Sequence, residues 1–322
     1  MRVGIVGCGR IGGRHLDAYQ RLDGVQVVVA DEDEVAAKSL AQAQGVSAVG
    51  AEELLASGID ALDVCVPSQF HRQWILAGLS HGLHVFCEKP LCLSHSEALE
   101  ILEAAQAARR NVMVGYLYRY HPSFQFMKSV ISEGAIGRPH LALARLGGRG
   151  SHQRWKHDTG GGGAIFEMMV HMLDLVNWLL GPLEEGRLLH NELILPVRQI
   201  NGEAWPAQAT DCAIAVLTAG GVRAICQSDL VTPSFRNSVE VHGDNGSVTG
   251  SILNSLPAMV YCNEPRGLFD RGHNHRPFEA VNLFVRELDH FCRKVRSNDL
   301  DLSSLAASVE LAQFVDSLVE SR

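Results

Sequence analysis

The sequence predicts an α/β fold in two parts: a doubly wound parallel sheet, followed by an α+β region with a mostly antiparallel open sheet. Over the first 120 residues, short apolar runs alternate with amphipathic segments about 20–30 residues apart, which is typical of parallel sheets covered by helices. This alternation of strands and helices ends at a loop rich in glycine and basic residues, at 147–163. Beyond it, runs of alternating polarity predict antiparallel strands. We therefore divide the chain into domains at 1–120 and 121–322.

The strands of the first domain follow from short apolar runs bounded by polar residues. They are predicted at 3–6, 25–30, 61–66, 83–87 and 112–114. Amphipathic stretches such as "AAKSLAQAQG" and "SHSEALEILEAAQAARRN" predict helices between them.

The second domain begins with an apolar helix, predicted at about 164–180 and ended by Gly181 and Pro182. Among the strand-like runs that follow, Gly220 and Gly221 separate two alternating runs and predict a tight hairpin. Two further helices are predicted at about 278–297 and 303–320.

Composition and charge exclude several classes of protein. The 322 residues, 46% of them hydrophobic, are enough for two cores, and the net charge of −8 argues against nucleic-acid and anionic-membrane partners. Eight cysteines form no CxxC or Cys/His zinc pattern, so we expect reduced thiols, no bound metal and a cytoplasmic protein. The start of the chain lacks a signal peptide's apolar core, and no apolar run approaches a membrane span.

A glycine-rich stretch, "VGIVGCGRIGGRH", follows the first strand and opens the first helix. Gly7 permits a tight turn, Gly9 lets a pyrophosphate approach the backbone, and Gly12 lets helix and strand pack closely. The N–H groups of Arg10 and Ile11 at the helix N-terminus then point at the phosphates. The sequence therefore predicts a Rossmann domain that binds a dinucleotide.

An acid at the end of the second strand indicates which dinucleotide. Asp31 lies 19 residues beyond Gly12, where a carboxylate accepts hydrogen bonds from the adenosine ribose hydroxyls and repels a 2′-phosphate. We therefore expect NAD, with NADP as the alternative. The competing interpretation is that Asp31 caps the next helix.

A polar stripe marks the apolar helix of the second domain. Glu167, His171, Asp174 and Asn177 are spaced 4, 3 and 3 residues apart, so they share one face of a helix that is otherwise apolar. Such a stripe faces either a cavity or solvent. A histidine and an amide in place of lysine and arginine favour the cavity.

Together these motifs resemble the glucose–fructose oxidoreductase / inositol dehydrogenase (Gfo/Idh/MocA) family over nearly the whole chain. The resembling segments, besides the glycine-rich start, are "VCVPSQFH" (64–71), "EKP" (88–90), "VGYLYRYHP" (114–122), "GRPH" (137–140) and "GGGGAIFEMMVHMLD" (160–174). The resemblance implies an NAD(P)-dependent oxidoreductase that moves a hydride between nicotinamide and a hydroxyl or carbonyl of a sugar, cyclitol or related small molecule. It also implies a homodimer or homotetramer.

The resemblance also implies roles for individual residues. Lys89 of "EKP" becomes the catalytic lysine, and His171 the second proton-handling group. Glu167 stands where the family usually has aspartate; it still lies one helical turn from His171, but reaches one methylene further. The remaining implied residues are Pro67, Ser68, His71 and Glu88 on the cofactor side, and Arg119, His152, Trp155 and Asp174 on the substrate side.

A basic segment, "RLGGRGSHQRWKH" (145–157), carries four cations and no acid in a protein of charge −8. It suggests an anionic substrate bearing a carboxylate or phosphate. The alternative is an interface or a solvated loop. Two other functions also fit the sequence: reduction of a C=N or C=C bond with the same cofactor, and a dinucleotide-binding sensor without turnover.

Overall fold

A computed structural model describes residues 1–148, 153–160, 162–253, 255–297 and 299–321. The chain forms two compact units, the first made of 1–117 and 282–313 and the second of 118–281 and 314–322. Within the described ranges, no helix is both long and apolar enough to cross a membrane.

The first unit contains a six-stranded sheet in the order β3-β2-β1-β4-β5-β6, with every neighbouring pair parallel. Its strands are β1 (Arg2–Val6), β2 (Gln26–Ala30), β3 (Ser47–Ala48), β4 (Ala61–Val64), β5 (His84–Glu88) and β6 (Val112–Gly115). Five of the six match the predicted apolar runs to within two residues at each end. The two-residue β3 was not predicted, because so short a run carries no periodicity.

Helices connect these strands and complete the first unit. They are α1 (Arg10–Tyr19), α2 (Glu34–Gln44), α3 (Ala51–Leu54), α4 (His71–Ser80) and α5 (His95–Ala108), with α8 (Leu283–Ser297) returning from the far end of the chain. Phe291 of α8 is fully buried and stacks edge-on against Phe86 of β5. The core of this unit therefore needs residues from both ends of the sequence.

The second unit contains an eight-stranded sheet in the order β16-β15-β14-β13-β7-β12-β11-β8. Its strands are β7 (Pro139–Gly147), β8 (Leu183–Glu192), β11 (Cys212–Ala219), β12 (Val222–Asp229), β13 (Arg236–Gly243), β14 (Gly246–Gly250), β15 (Ala258–Cys262) and β16 (Gly272–Arg276). β7 and β12 run parallel and the other neighbouring pairs of this sheet run antiparallel, as the predicted fold class requires. Gly220 and Gly221, both at positive φ, form the predicted hairpin.

Two helices and a small hairpin lie beside this sheet. They are α6 (Pro122–Ser132), α7 (Val170–Leu180) and the antiparallel pair β9 (Val197–Ile200) and β10 (Glu203–Pro206). α7 packs against β7, β8, β11 and β12, and a π-helical turn, Ile165–Met169, leads into it. The last helix, α9 (Ser303–Glu320), contains the division between the units.

Candidate functional site

The glycine-rich stretch adopts a conformation that side chains would prevent. Gly7 has φ of +99°, and a Cβ there would lie 2.6 Å from the Cys65 backbone. A Cβ on Gly12 would lie 1.9 Å from the Gly7 carbonyl oxygen, so the first helix turn rests directly on the loop. Around Gly9, in contrast, a Cβ would meet nothing within 4 Å. Gly7 and Gly12 are therefore fixed by packing, and Gly9 borders open space that fits a ligand's pyrophosphate.

The first turn of α1 presents backbone N–H donors beside this open space. Gly9 is the N-cap and has no side chain to cap the helix, and Arg10 and Ile11 are the first two helical residues. Their backbone N–H groups have no partner within the helix, because the first N–H groups of any helix lack a preceding carbonyl. An anion at this end is stabilised by those groups and by the helix dipole.

Asp31 directly follows β2 and faces this loop. Its carboxylate accepts hydrogen bonds from the backbone N–H of Cys8 (2.6 Å) and of Asp33 (2.9 Å). Asp33 caps α2, accepting from Val35 N–H and Ala36 N–H. The capping role considered for Asp31 thus belongs to Asp33, and the position of Asp31 suits an adenosine ribose.

Pro67, Ser68 and His71 lie where the chain leaves β4 and enters α4. Ser68 begins a short 3-10 turn, Ser68–Phe70, and is buried. His71 Nδ1 lies 2.7 Å from the Pro90 carbonyl oxygen and Nε2 lies 2.9 Å from that of Val66. Burial lowers the pKa of His71, although both carbonyls oppose the shift. His71 therefore joins the end of β4 to the "EKP" segment; a cofactor contact stays a prediction for these three residues.

The "EKP" segment follows β5 at the carboxyl edge of the parallel sheet. Glu88 is the last residue of β5, and a cis peptide bond joins Lys89 to Pro90. The Glu88 carboxylate accepts a hydrogen bond from the Lys89 backbone N–H (3.2 Å) and lies 3.2 Å from His15 Nε2. Glu88 is buried against a histidine, and its contact with the cofactor remains a prediction.

Sequence reasoning missed two buried residues of this network, His15 and Asp63. His15 Nδ1 lies 2.9 Å from Asp63 Oδ2, and both side chains are fully buried. Two features of the sequence could have revealed these residues. His15 lies three residues after Gly12, on the helix face that packs on the sheet, and Asp63 is an acid inside an apolar strand.

In the second unit, the polar stripe of the apolar helix is buried. Glu167, His171 and Asp174 are 3%, 7% and 2% exposed, which excludes the interpretation of a solvent-facing helix; Asn177 is half-buried. Glu167 lies in the π-helical turn and His171 in the first turn of α7. π-helical turns are frequent at functional sites.

Two ion pairs flank the histidine. Lys156 Nζ lies 2.5 Å from Glu167 Oε2, and Arg119 holds Asp174 through two hydrogen bonds of 2.9 and 2.5 Å. Burial raises the pKa of Asp174 to about 6, although Arg119 opposes the shift. The Tyr118 ring lies 4.7 Å from the His171 ring, centroid to centroid. The second unit thus brings Arg119, Glu167, His171 and Asp174 together, as the resemblance implies.

Two of the four cations of the basic segment pair with carboxylates; Arg145 donates to the Thr232 hydroxyl, and Arg149 lies outside the described residues. Arg154 pairs with Glu203 and stacks over Trp205, while Lys156 pairs with Glu167. Trp155 is half-buried, with Lys156 Nζ 5.1 Å from its ring centroid. His152, predicted to contact substrate, lies outside the described residues.

Comparison with known proteins identifies both parts of the chain. Residues 1–116 match the oxidoreductase family with an NAD-binding Rossmann fold, and residues 124–249 match the Gfo/Idh/MocA C-terminal domain. Among solved structures, levoglucosan dehydrogenase in complex with NADH has a TM-score of 0.88 at 20% identity, covering 100% of this chain and 96% of that one. At that identity the likeness concerns the fold.

Curated relatives point to the same family. An inositol 2-dehydrogenase from Burkholderia ambifaria is 33% identical over 56% of this chain and 55% of its own length, so the match spans about half of that relative. Another from Rhizobium meliloti is 30% identical over 81% of this chain and 78% of its own length. With both domains matched and a relative aligned over most of its length, this chain belongs to the Gfo/Idh/MocA family of NAD-binding oxidoreductases.

Proposed function

We propose that this protein is an NAD-dependent dehydrogenase acting on a CH–OH group of a cyclitol or sugar. The observation that carries the proposal is the buried stripe of Glu167, His171 and Asp174 in a member of an NAD-binding family. A buried histidine between two ion-paired carboxylates is suited to exchanging a proton with a bound hydroxyl. The inositol 2-dehydrogenases support a cyclitol, and levoglucosan dehydrogenase supports the wider sugar class.

The residues of the first unit fit NAD. The open space at Gly9 and the N–H groups of Arg10 and Ile11 would hold the pyrophosphate, and Asp31 would hold the adenosine ribose. When bound, NAD supplies the hydride acceptor. The residues proposed for the rest of the cofactor are Pro67, Ser68, His71 and Glu88.

Lys89 and His171 are the proposed proton-handling residues. Lys89 sits just beyond a parallel strand's carboxyl end, where open α/β sheets bind ligands. His171 would take a proton from the reacting hydroxyl during oxidation and return it during reduction. Glu167, fixed by Lys156, would orient the imidazole or accept a hydrogen bond from a substrate hydroxyl.

A neutral polyol suits the second unit better than an anion. Lys156 and Arg154 of the basic segment already pair with carboxylates, and Arg119 is bound to Asp174. These pairs take up two of the four cations that suggested an anionic substrate, so a carboxylate or phosphate on the substrate stays the alternative. Hydroxyl groups bind to such pairs without adding net charge. Arg119, Trp155 and Asp174 are the proposed substrate contacts.

The test begins with parallel fluorescence titrations of NADH and NADPH, followed by NAD⁺-linked turnover of myo-inositol and a panel of polyols. Lys89→Met and His171→Asn should each lower kcat by about 10²-fold or more while NADH still binds. Lys38→Met, at an exposed lysine, and His190→Asn, at a half-buried histidine of β8, are the matched controls and should keep wild-type rates. Wild-type protein that binds neither dinucleotide would overturn the proposal.

We further propose that the protein works in the cytoplasm as a homodimer or homotetramer. All eight cysteines are free thiols, which supports a reducing compartment. On β7 and β12, the register partners Leu143 and Ile225 are 37% and 38% exposed, which supports association through this face of the sheet. Light scattering after size-exclusion chromatography tests this, because Leu143→Glu with Ile225→Glu should dissociate the assembly.

A further inference from the structure

His15 is a buried histidine that lies between two carboxylates of the first unit. It is on α1, while Asp63 is in the middle of β4 and Glu88 ends β5. Nδ1 lies 2.9 Å from Asp63 and Nε2 lies 3.2 Å from Glu88. Side-chain exposure is 0% for His15 and Asp63 and 11% for Glu88, so water does not replace these contacts.

The two contacts fit a protonated ring. An ionised carboxylate only accepts hydrogen bonds, so between two ionised carboxylates His15 donates from both Nδ1 and Nε2 as an imidazolium. Burial is the largest single influence and would lower the pKa of His15, but the charges and hydrogen bonds of Asp63 and Cys65 together raise it well above the ordinary value. Burial would raise the pKa of Glu88, but the hydrogen bond and charge of His15, with smaller contributions from Lys89 and His71, lower it.

The second oxygen of Glu88 continues the chain of contacts. It accepts the backbone N–H of Lys89 at 3.2 Å. Three consecutive hydrogen bonds therefore lead from Asp63 in β4 to the lysine: Asp63 to His15, His15 to Glu88, and Glu88 to the backbone amide of Lys89. A buried imidazolium is costly as a purely structural element, because an apolar residue would fill the same volume without desolvating charge.

We propose that His15 is a positioning residue for Lys89: by holding Glu88 against the sheet, it fixes the backbone from which the lysine side chain extends. This rests on the proposed function, in which Lys89 exchanges a proton with the substrate. A displacement of about 1 Å at a reacting group lowers the rate by up to about 10²-fold, so loss of this bridge reduces kcat more than it reduces cofactor binding.

Two amide substitutions separate positioning from stability. In His15→Gln, the amide N–H can occupy the place of Nε2 and still donate to Glu88. In His15→Asn, it can occupy the place of Nδ1 and donate to Asp63 alone. Both variants lose the buried imidazolium, so we expect similar losses of thermal stability. We expect kcat of His15→Asn to be at least about tenfold below that of His15→Gln, with NADH dissociation constants within about twofold.

Tyr19→Phe is the matched control. Tyr19 lies one turn further along α1, is fully buried, and has its pKa raised by burial and by Asp63, but it does not belong to the path from His15 to Lys89. It should keep the wild-type kcat. Equal kcat values for the two His15 variants, or losses that follow the melting temperature alone, would overturn the positioning role.

Glu88→Gln keeps the inference testable if neither His15 variant folds. Its amide oxygen can accept from His15, but its NH₂ then faces the Lys89 N–H, two donors together, so we expect kcat to fall by about tenfold or more. An unchanged kcat would contradict the bridge. Histidine ¹⁵N spectra of the wild type provide a readout without turnover: both His15 ring nitrogens should be protonated at pH 7.5, and a neutral tautomer would contradict it.

The outcomes separate this inference from the proposed function. If the wild type turns over no polyol with NAD⁺, the proposed function fails, and positioning for that reaction fails with it. If the wild type is active and the variants match it, only the inference fails.

Discussion

Alanine substitutions at Gly9 and Gly12 test whether the loop before α1 holds the dinucleotide. The structure predicts opposite consequences for two glycines three residues apart. In Gly12→Ala, the new Cβ starts 1.9 Å from the Gly7 carbonyl oxygen, whereas contacts below 3.0 Å are essentially never seen. The carbonyl must therefore retreat by about 1 Å. Overpacking of this kind costs about 1–3 kcal/mol, equivalent to several degrees in melting temperature.

Gly9→Ala should spare the fold and impair the ligand. Its φ of −73° is accessible to alanine and no atom lies within 4 Å of the new Cβ, so the loss of stability should not exceed about 1 kcal/mol, from the poorer N-cap. The same methyl group occupies the space proposed for the pyrophosphate. We expect NADH binding to weaken at least tenfold, about 1.4 kcal/mol, by fluorescence titration.

Gly13→Ala provides the matched control in the same helix. Its Cβ would lie 3.8 Å from Leu40, an ordinary contact, so both the melting temperature and the NADH affinity should be retained. Wild-type NADH affinity in Gly9→Ala would refute the assignment of this loop as the phosphate site. Wild-type stability in Gly12→Ala would refute the packing argument.

Three further predictions concern charge. Asp31→Asn should tighten NADPH binding relative to NADH by about tenfold or more, because it removes the repulsion of the 2′-phosphate while keeping an acceptor for the loop; an unchanged ratio in parallel titrations would contradict this. Lys156→Met should lower the free energy of unfolding by about 3 kcal/mol in urea titrations, since it leaves Glu167 buried without its ion-pair partner, and adding Glu167→Leu should restore part of the loss. Because the pKa of His15 is raised, the folded state keeps a proton that the unfolded state releases above about pH 6.5. The contribution of His15 to the free energy of unfolding should therefore be complete below that pH and decline as pH rises through the folded-state pKa. In His15→Gln, the free energy of unfolding should lack this decline with pH.

The sequence predicted most of the first unit because its signals are local. The parallel strands are short apolar runs, and the loop of Gly7 and Gly12 needs glycine for steric reasons that reach only a few residues. The buried stripe on the π-helical turn and α7 was predictable for the same reason, since residues three and four apart share a helix face. The alternation of polarity likewise predicted the antiparallel hairpin at Gly220.

Contacts between distant residues could not be predicted in this way. His15 meets Asp63 and Glu88 across 48 and 73 residues, and no periodicity connects them. The basic segment looked like an excess of charge because Glu203, which pairs with Arg154, lies 49 residues away. Partner choice of this kind depends on how strands and loops are brought together by the fold, which a single sequence does not state.

The late helix α8 has a consequence for how this protein is made. Leu288, Phe291 and Cys292 of α8 share a cluster with Ile5 and Phe86, which leave the ribosome more than 200 residues earlier. Until α8 is synthesised, the apolar side chains of β1, β5 and α1 that pack against it stay exposed to solvent. The strands of the second unit's eight-stranded sheet are all synthesised during that interval. The part translated first therefore completes its core only near the end of synthesis. We expect the nascent first unit to depend on chaperones during that interval, and a chain stopped before residue 283 to aggregate.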